Sequence, residues 1–284
     1  MMVPGLHRPF WLRKRYSQTQ FDAVQTISDK KAGLHTVCEE ACCPNIGECF
    51  SAATATFLIL GNTCTRDCRF CAIHHGAPLN PDKGEPRRVA NMVGEMGLKY
   101  AVITSVTRDD LEDGGASHFA ETIREIYSLG RGIKVEVLIP DFAGKEAPLN
   151  TVLDAGPTVI SHNVETVRRL YPAVRPGAIF ERSIELLRRS KKIKPQIFVK
   201  SGFMLGLGET EKEVLELLVS LRGAGCDILT IGQYLPPRQD LFPVARYVHP
   251  EEFERYRVKG LEMGFTSVAA GPFVRSSYHA SELI

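Results

Sequence analysis

Cys64, Cys68 and Cys71 stand in the run GNTCTRDCRFCAIHHG as C-x3-C-x2-C, placing three thiols in one short loop. Thiolate sulfur is the soft donor that iron–sulfur clusters and zinc accept. A cubic iron–sulfur cluster normally takes four cysteine ligands, so a three-cysteine loop leaves one iron open. An open iron can chelate the amino and carboxylate groups of a small molecule. The alternative is a zinc site, which normally closes with four ligands; His74 or His75 would then complete a Cys3His set.

A second triplet lies upstream in HTVCEEACCPNIGECF, where Cys38, Cys43 and Cys49 are spaced C-x4-C-x5-C and Cys42 falls outside the pattern. Near the other end, AGPFVRSSYHASELI carries Arg275, Ser276, Ser277 and Tyr278. By itself that segment reads as a polar tail, and tails are usually solvated.

The C-x3-C-x2-C loop resembles the signature of the radical S-adenosylmethionine (SAM) superfamily. With the upstream C-x4-C-x5-C and the late RSSY added in that order, the chain resembles the lipoyl synthase family, from WLR near its start to RSSY. The resemblance implies two 4Fe–4S clusters. One sits on Cys64, Cys68 and Cys71 and cleaves SAM to a deoxyadenosyl radical. The other, auxiliary cluster sits on Cys38, Cys43, Cys49 and Ser277. Ser277 is a hard oxygen donor and a poorer ligand for this iron than a thiolate, which suits a cluster dismantled to give up its sulfide. Ser277 is in that sense the catalytic residue.

The implied reaction inserts two sulfur atoms at carbons 6 and 8 of an octanoyl group held in amide linkage by a lysine. The implied carriers are lipoyl domains of 2-oxoacid dehydrogenase complexes and glycine-cleavage H protein, and the reductant is a ferredoxin or flavodoxin. A second radical SAM enzyme type with an auxiliary cluster would share the loop without RSSY. A non-catalytic iron–sulfur or zinc protein would explain the cysteines but not the barrel that follows.

These loops need elements to position them. Short apolar runs at Ala55–Leu60, Tyr100–Ser105, Lys134–Ile139, Val159–Asn163, Gln196–Phe203, Ile228–Gln233 and Thr266–Ala269 predict strands. Little polar alternation interrupts them, as expected of parallel strands covered on both faces. Between them, Arg88–Gly97, Ala116–Leu129, Ala147–Leu153, Ile179–Lys191, Glu211–Gly223 and Pro250–Met263 predict helices, with Gly97, Gly130, Gly223 and Gly264 placed as helix-ending glycines. About six repeated β–α units imply right-handed parallel crossovers, and the resemblance implies an α/β fold of the partial (β/α)6 TIM-barrel type. The expected organisation is an N-terminal extension over 1–53 with the auxiliary motif, a radical SAM barrel over 54–270, and a tail over 271–284. Extension and tail are expected to cover the barrel mouth.

Polar residues cluster after these strands, where parallel α/β folds place their sites. TSVTRDDLEDGGA brings Arg108, Asp109, Asp110 and Asp113; SHNVET brings His162, Asn163 and Glu165; KSGFMLGLGET brings Lys200, Ser201 and Glu209. By the resemblance, Asn163, Glu165 and Arg175 hold the polar groups of SAM, Asp109 and Asp110 bind its ammonium, and Phe70 lies near the adenine. Read locally, acidic residues in such loops are helix caps or turn residues. GLGET lacks the glycine spacing of a nucleotide fingerprint. His74, His75 and His118 read as loop or cap residues.

The chain has 284 residues, 44% of them hydrophobic, which is ample for a sizeable core. A net charge of +2 is too mild for nucleic acid. No apolar run approaches the ~18 residues of a membrane span, and the start lacks the apolar core of a secretory signal. Eight cysteines, six of them in two tight sets, point to metal in a reducing compartment, the cytoplasm or an organelle matrix. Cys226 reads as a buried apolar residue. The segment HRPFWLRKRY, with Arg8, Trp11, Arg13, Lys14 and Arg15, reads either as a dock for an acidic protein or as an arm anchored by Trp11.

Overall fold

The computed structural model describes residues 7–13, 33–40, 43–51 and 56–284. Cys42, Lys14, Arg15, Ala55 and the expected 53/54 boundary lie outside the described residues. The described chain forms two compact units. One comprises 33–40, 43–51, 56–66 and 73–160; the other comprises 7–13, 67–72 and 161–284.

In the first unit, β1 (His35–Thr36) leads into α1 (Val37–Glu40) and α2 (Ile46–Ser51). Strand β2 (Thr56–Ile59) follows, then the two-residue strands β3 (Thr63–Cys64) and β4 (His74–His75) of the cysteine loop. Helix α3 (Glu85–Glu95), β5 (Tyr100–Ser105), α4 (Ala116–Ser128), β6 (Lys134–Leu138) and α5 (Glu146–Asp154) complete the alternation. β2 pairs parallel with β5 (Thr56 opposite Val102), and β5 pairs parallel with β6 (Tyr100 opposite Lys134). β1 runs antiparallel on β2, with His35 opposite Leu58. Phe57, Ile59, Val102, Ile103, Val135 and Val137 are buried, which is why these strands read as unbroken apolar runs. Helices α3 and α4 turn apolar stripes inward, with Val89, Val93, Phe119 and Ile123 buried.

The chain passes to the second unit within β7 (Val159–Ser161). There α6 (Tyr171–Val174), α7 (Phe180–Ile193), β8 (Phe198–Leu205), α8 (Glu211–Gly223), β9 (Ile228–Gln233), α9 (Pro250–Glu262) and β10 (Ser267–Gly271) follow. β8, β9 and β10 are parallel, with Lys200 and Ser267 both opposite Ile228. Helix α8 starts with a capping box in which Thr210 accepts from Glu213 N and the Glu213 carboxylate accepts from Thr210 N. Its Val214, Leu217, Leu218 and Leu221 are buried.

Six helices and seven strands thus fall where the apolar patterns put them, with ends shifted by a few residues. One glycine assignment needs correcting. Gly223 closes the last turn of α8, and the left-handed residue that ends the segment is Gly225, at φ +83°.

Candidate functional site

Cys64 ends β3, in parallel register with His75 of β4. Its sulfur accepts from the backbone N–H of Arg66 at 3.4 Å and of Thr107 at 3.3 Å. Two amide donors thus converge on one sulfur, as they do on the cysteine ligands of iron–sulfur clusters. Two residues on, Arg66 donates to both carboxylate oxygens of Asp109 at 2.6 and 2.8 Å and to Asp141 at 2.6 Å. Burial opposes the Arg66 charge, but the hydrogen bonds to Asp109 and Asp141 prevail and its pKa rises. These pairs fasten the cysteine loop to the chain beyond β5 and β6.

Asp109 and Asp110 were expected at the ammonium of SAM. Both carboxylates are already engaged, Asp109 by Arg66 and Asp110 by Arg108 at 2.7–3.2 Å. The hydrogen bond from Arg108 holds the Asp110 carboxyl below its usual range. His118 is a helix residue rather than a loop residue: it lies in α4 and bonds Glu85 at 2.7 Å.

Cys68 and Cys71 belong to the second unit, where Cys71 N donates to Cys68 O at 3.0 Å. Arg69 N donates to Val174 O, and Arg69 O accepts from Phe242 N at 2.8 Å, so the loop is tied on two sides. Phe70 between them is half-buried. The guanidinium of Arg175 hydrogen-bonds the sulfur of Cys68. One of its nitrogens also donates to the carbonyl oxygens of Asn163 and Val164 at 3.0 and 3.2 Å, and to the Tyr171 hydroxyl at 3.0 Å. Desolvation works against the Arg175 charge, yet Tyr171, Glu165 and Cys68 together raise its pKa.

Glu165 stands beside this arginine with φ +65°, a left-handed conformation uncommon for a residue other than glycine. Its N–H donates to Gly202 O at 3.0 Å and its carbonyl accepts from Met204 N at 2.9 Å, which lock the turn against β8. Desolvation pushes the Glu165 carboxyl up, against the pull of Arg175, the amide of Asn163 and the charge of Arg275.

Oδ1 of Asn163 and Nε of Arg175, both beside Glu165, are buried without a hydrogen-bond partner, as are Oγ of Ser161 and Oγ1 of Thr166 in the same stretch of chain. Orphaned buried polar atoms are rare and costly, so the two beside Glu165 form a cradle that a polar ligand would fit. Gly202 completes it: a Cβ there would meet Thr230 Oγ1 at 2.3 Å and Asn163 Oδ1 at 3.1 Å. Of these groups the sequence reading had Asn163, Glu165 and Arg175. Ser161, the last residue of β7, and Thr166 were not among the candidates, since they carried no signal beyond membership of the run SHNVET.

The auxiliary triplet lies on one backbone turn of the first unit. Cys43 N donates to Cys38 O at 3.0 Å, Ile46 N to Cys43 O, and Cys49 N to Asn45 O at 2.9 Å. Cys38 is 6% exposed. Burial first, and the nearby Cys43 and Cys49 next, push its thiol up to about 12. Among the described residues no three His, Cys, Asp or Glu side chains stand close enough together to hold a metal ion, so the expected cluster ligands are near one another in the chain but not drawn into a closed site. All seven described cysteines are thiols rather than disulfides.

Ser277 lies in a turn of the second unit, where Tyr278 N donates to Arg275 O at 3.0 Å. That tail crosses β9 at Gly232, whose absent Cβ would meet Val274 O at 2.2 Å. The charge of Arg275 thereby reaches Glu165.

Two other sequence features resolve simply. In GLGET the Glu209 carboxylate accepts from Gly206 N at 2.7 Å and Leu207 N at 2.9 Å, so the chain itself fills the amide nest a phosphate would need. Trp11 packs edge-on against His249 at 5.0 Å and anchors its segment. No helix among the described residues is long and apolar enough to cross a membrane.

The Radical SAM superfamily pattern matches residues 58–221. The chain is 54% identical over 275 residues to the lipoyl synthase of Caldanaerobacter subterraneus subsp. tengcongensis, covering 97% of this chain and 96% of that one. It is 56% identical to the lipoyl synthase of Rubrobacter xylanophilus, covering 98% and 87%. Among solved structures it resembles HydG, a maturase of the [FeFe]-hydrogenase, with a TM-score of 0.60 at 17% identity over 88% of this chain and 63% of that one. It also resembles methylornithine synthase (PylB), with a TM-score of 0.54 at 15% identity over 75% and 70%. Those two likenesses concern the fold, the mostly parallel α/β partial barrel of radical SAM enzymes.

Proposed function

The chain belongs to the lipoyl synthase family of the radical SAM superfamily, and from that premise we propose how its residues divide the work. The reaction is the SAM-dependent insertion of two sulfur atoms at carbons 6 and 8 of a protein-bound octanoyl-lysine. The substrates we assign are octanoylated lipoyl domains of 2-oxoacid dehydrogenase complexes and glycine-cleavage H protein, with electrons from a ferredoxin or flavodoxin.

Cys64, Cys68 and Cys71 are the ligands of the cluster that, with SAM bound, supplies the deoxyadenosyl radical. Arg66 N and Thr107 N donate to the Cys64 sulfur, and Arg175 stands against that of Cys68. Asn163, Glu165 and Arg175, with Ser161 and Thr166, take the polar groups of SAM, and Phe70 covers its adenine. Asp109 and Asp110 keep the loop in place through Arg66 and Arg108.

Cys38, Cys43, Cys49 and Ser277 hold the auxiliary cluster, which is consumed as the sulfur-donating substrate. Ser277 is the ligand released most easily, because oxygen suits this iron less well than sulfur. The extension over 1–53 and the tail over 271–284 are the parts of the chain we assign to that cluster, and 54–270 to the radical chemistry. A reducing compartment, cytoplasm or organelle matrix, suits cysteines that are all thiols among the described residues.

The observation that carries this reading is the cradle of orphaned polar atoms around Glu165, one arginine away from a C-x3-C-x2-C cysteine. The test is anaerobic incubation of the reconstituted protein with an octanoyl-lysine peptide, SAM and a strong reductant. Mass spectrometry is expected to show deoxyadenosine and a peptide with two added sulfurs. Neither product from protein carrying both clusters would overturn it.

A further inference from the structure

Leu60 follows the last residue of β2 and opens the loop that reaches Cys64. It has φ +68°, although it is neither glycine nor asparagine, and a branched apolar residue in that conformation persists only where its surroundings impose it. Three separate parts of the first unit do so. Glu85 Oε2 accepts the Leu60 N–H at 2.7 Å. Arg108, itself 1% exposed and gripped by Asp110, directs its remaining terminal nitrogen at Leu60 O, 3.4 Å away. The side chain fills the space that Gly115 leaves empty, where a Cβ would meet Leu60 Cδ1 at 2.3 Å.

Glu85 opens helix α3, and an acid in a first turn usually serves the helix dipole from the surface. This one is 5% exposed. The oxygen that takes Leu60 N–H also bonds His118 Nε2 at 2.7 Å. A buried carboxylate with two partners from other elements is fixed in place rather than solvated.

We propose that Glu85, held by His118, is a positioning residue for the radical cluster: it imposes the left-handed turn at Leu60 that aims the cysteine loop. The inference rests on reading Cys64, Cys68 and Cys71 as cluster ligands. The requirement is for a hydrogen-bond acceptor at this spot, so the amide oxygen of Gln serves and the methyl of Ala does not.

The test has two arms. In the metal-free chain, hydrogen exchange follows the amides of residues 60–64. After anaerobic reconstitution, electron paramagnetic resonance of the reduced protein follows the spectral change on adding SAM. Glu85→Ala is expected to speed exchange at Leu60 by roughly tenfold or more, with β5 and β6 unchanged, as a local opening does. It is expected to lose most of the SAM-induced spectral change. Glu85→Gln is expected to keep both. Adding Leu60→Gly to Glu85→Ala is expected to restore the spectral change, because glycine adopts φ +68° without being forced.

If Glu85→Ala does not fold, Glu85→Asp, one methylene too short to reach Leu60 N, gives the same reading. Unchanged exchange and an unchanged SAM response in the Ala or Asp variant would overturn the proposal. So would a Gln variant as defective as Ala. A wild-type chain with no SAM response would count against the cluster assignment instead, and the exchange arm would still decide the clamp.

Discussion

Arg175 donates to the carbonyl oxygen of Asn163 at 3.0 Å, while the side-chain oxygen of that same asparagine stays buried with no partner. The arginine thus spends part of its fork holding the turn, and Asn163 keeps an acceptor in reserve for a ligand. Arg175→Ala is expected to weaken SAM binding roughly 10- to 100-fold, the range for a lost hydrogen bond to a charged group. Arg175→Lys is expected to rescue little, because an ammonium cannot serve Asn163 O, Val164 O and Cys68 from one planar fork. Equilibrium dialysis of SAM against reconstituted protein checks both.

Burial makes the Glu165 carboxyl costly to ionise. Desolvation raises its carboxyl pKa despite Arg175, Asn163 and Arg275. A carboxyl raised in the folded state costs stability once pH exceeds the unfolded value of ~4.3, because the unfolded chain ionises first. Glu165→Gln is therefore expected to raise the melting temperature of the metal-free chain at pH 8, on the order of 2–4 °C. The gain is expected to shrink as pH falls toward 5, and SAM affinity is expected to drop at every pH. Thermal melts across that range, paired with binding, separate the two effects.

The Arg66 pairs give a graded expectation. Asp141 is buried, so Arg66→Ala strands a carboxylate there, at a cost of roughly 3–5 kcal/mol. Asp109 is 38% exposed, and losing its pair costs about 1 kcal/mol or less. Asp109→Asn is expected to leave SAM affinity within about twofold of wild type, well inside the 10- to 100-fold loss of a charged ligand contact. A loss as large as that of Arg175→Ala would instead put Asp109 at the ammonium. Denaturant melts and SAM binding on the three variants decide.

Ser277 is expected to matter to one half-reaction only. Ser277→Ala is expected to leave deoxyadenosine formation and abolish sulfur transfer. Ser277→Cys is expected to retain iron but slow transfer, since a thiolate holds the cluster more tightly than a hydroxyl oxygen. Product analysis by chromatography, with iron counted on each variant, reads both halves.

Much of this was legible in the sequence because its causes are local. Strands such as Tyr100–Ser105 and Ile228–Gln233 are buried on both faces and so read as apolar runs, and α8 shows apolar Val214, Leu217, Leu218 and Leu221 at helical spacing. The short pieces were not legible. β1, α1 and α2 are two to six residues long, set by turns around cysteines rather than by periodicity.

Polar partnerships were harder still. Leu60 and Glu85 are 25 residues apart and His118 is 33 beyond Glu85, so nothing local marks them as one cluster. Asp109 and Asp110 read as candidates for the SAM ammonium, and nothing local announced their arginine partners, one of them 43 residues upstream.

The measurement that tests the account most directly uses 34S. The protein is reconstituted anaerobically with 34S-sulfide, freed of unbound sulfide, and given octanoyl-lysine peptide, SAM and reductant for a single turnover. The account predicts a peptide with two 34S atoms, formed by wild type and not by a Cys43→Ala variant that still makes deoxyadenosine. A thiolated product carrying unlabelled sulfur, or one formed equally well by Cys43→Ala, would contradict the assignment of Cys38, Cys43, Cys49 and Ser277 as holders of the sulfur source.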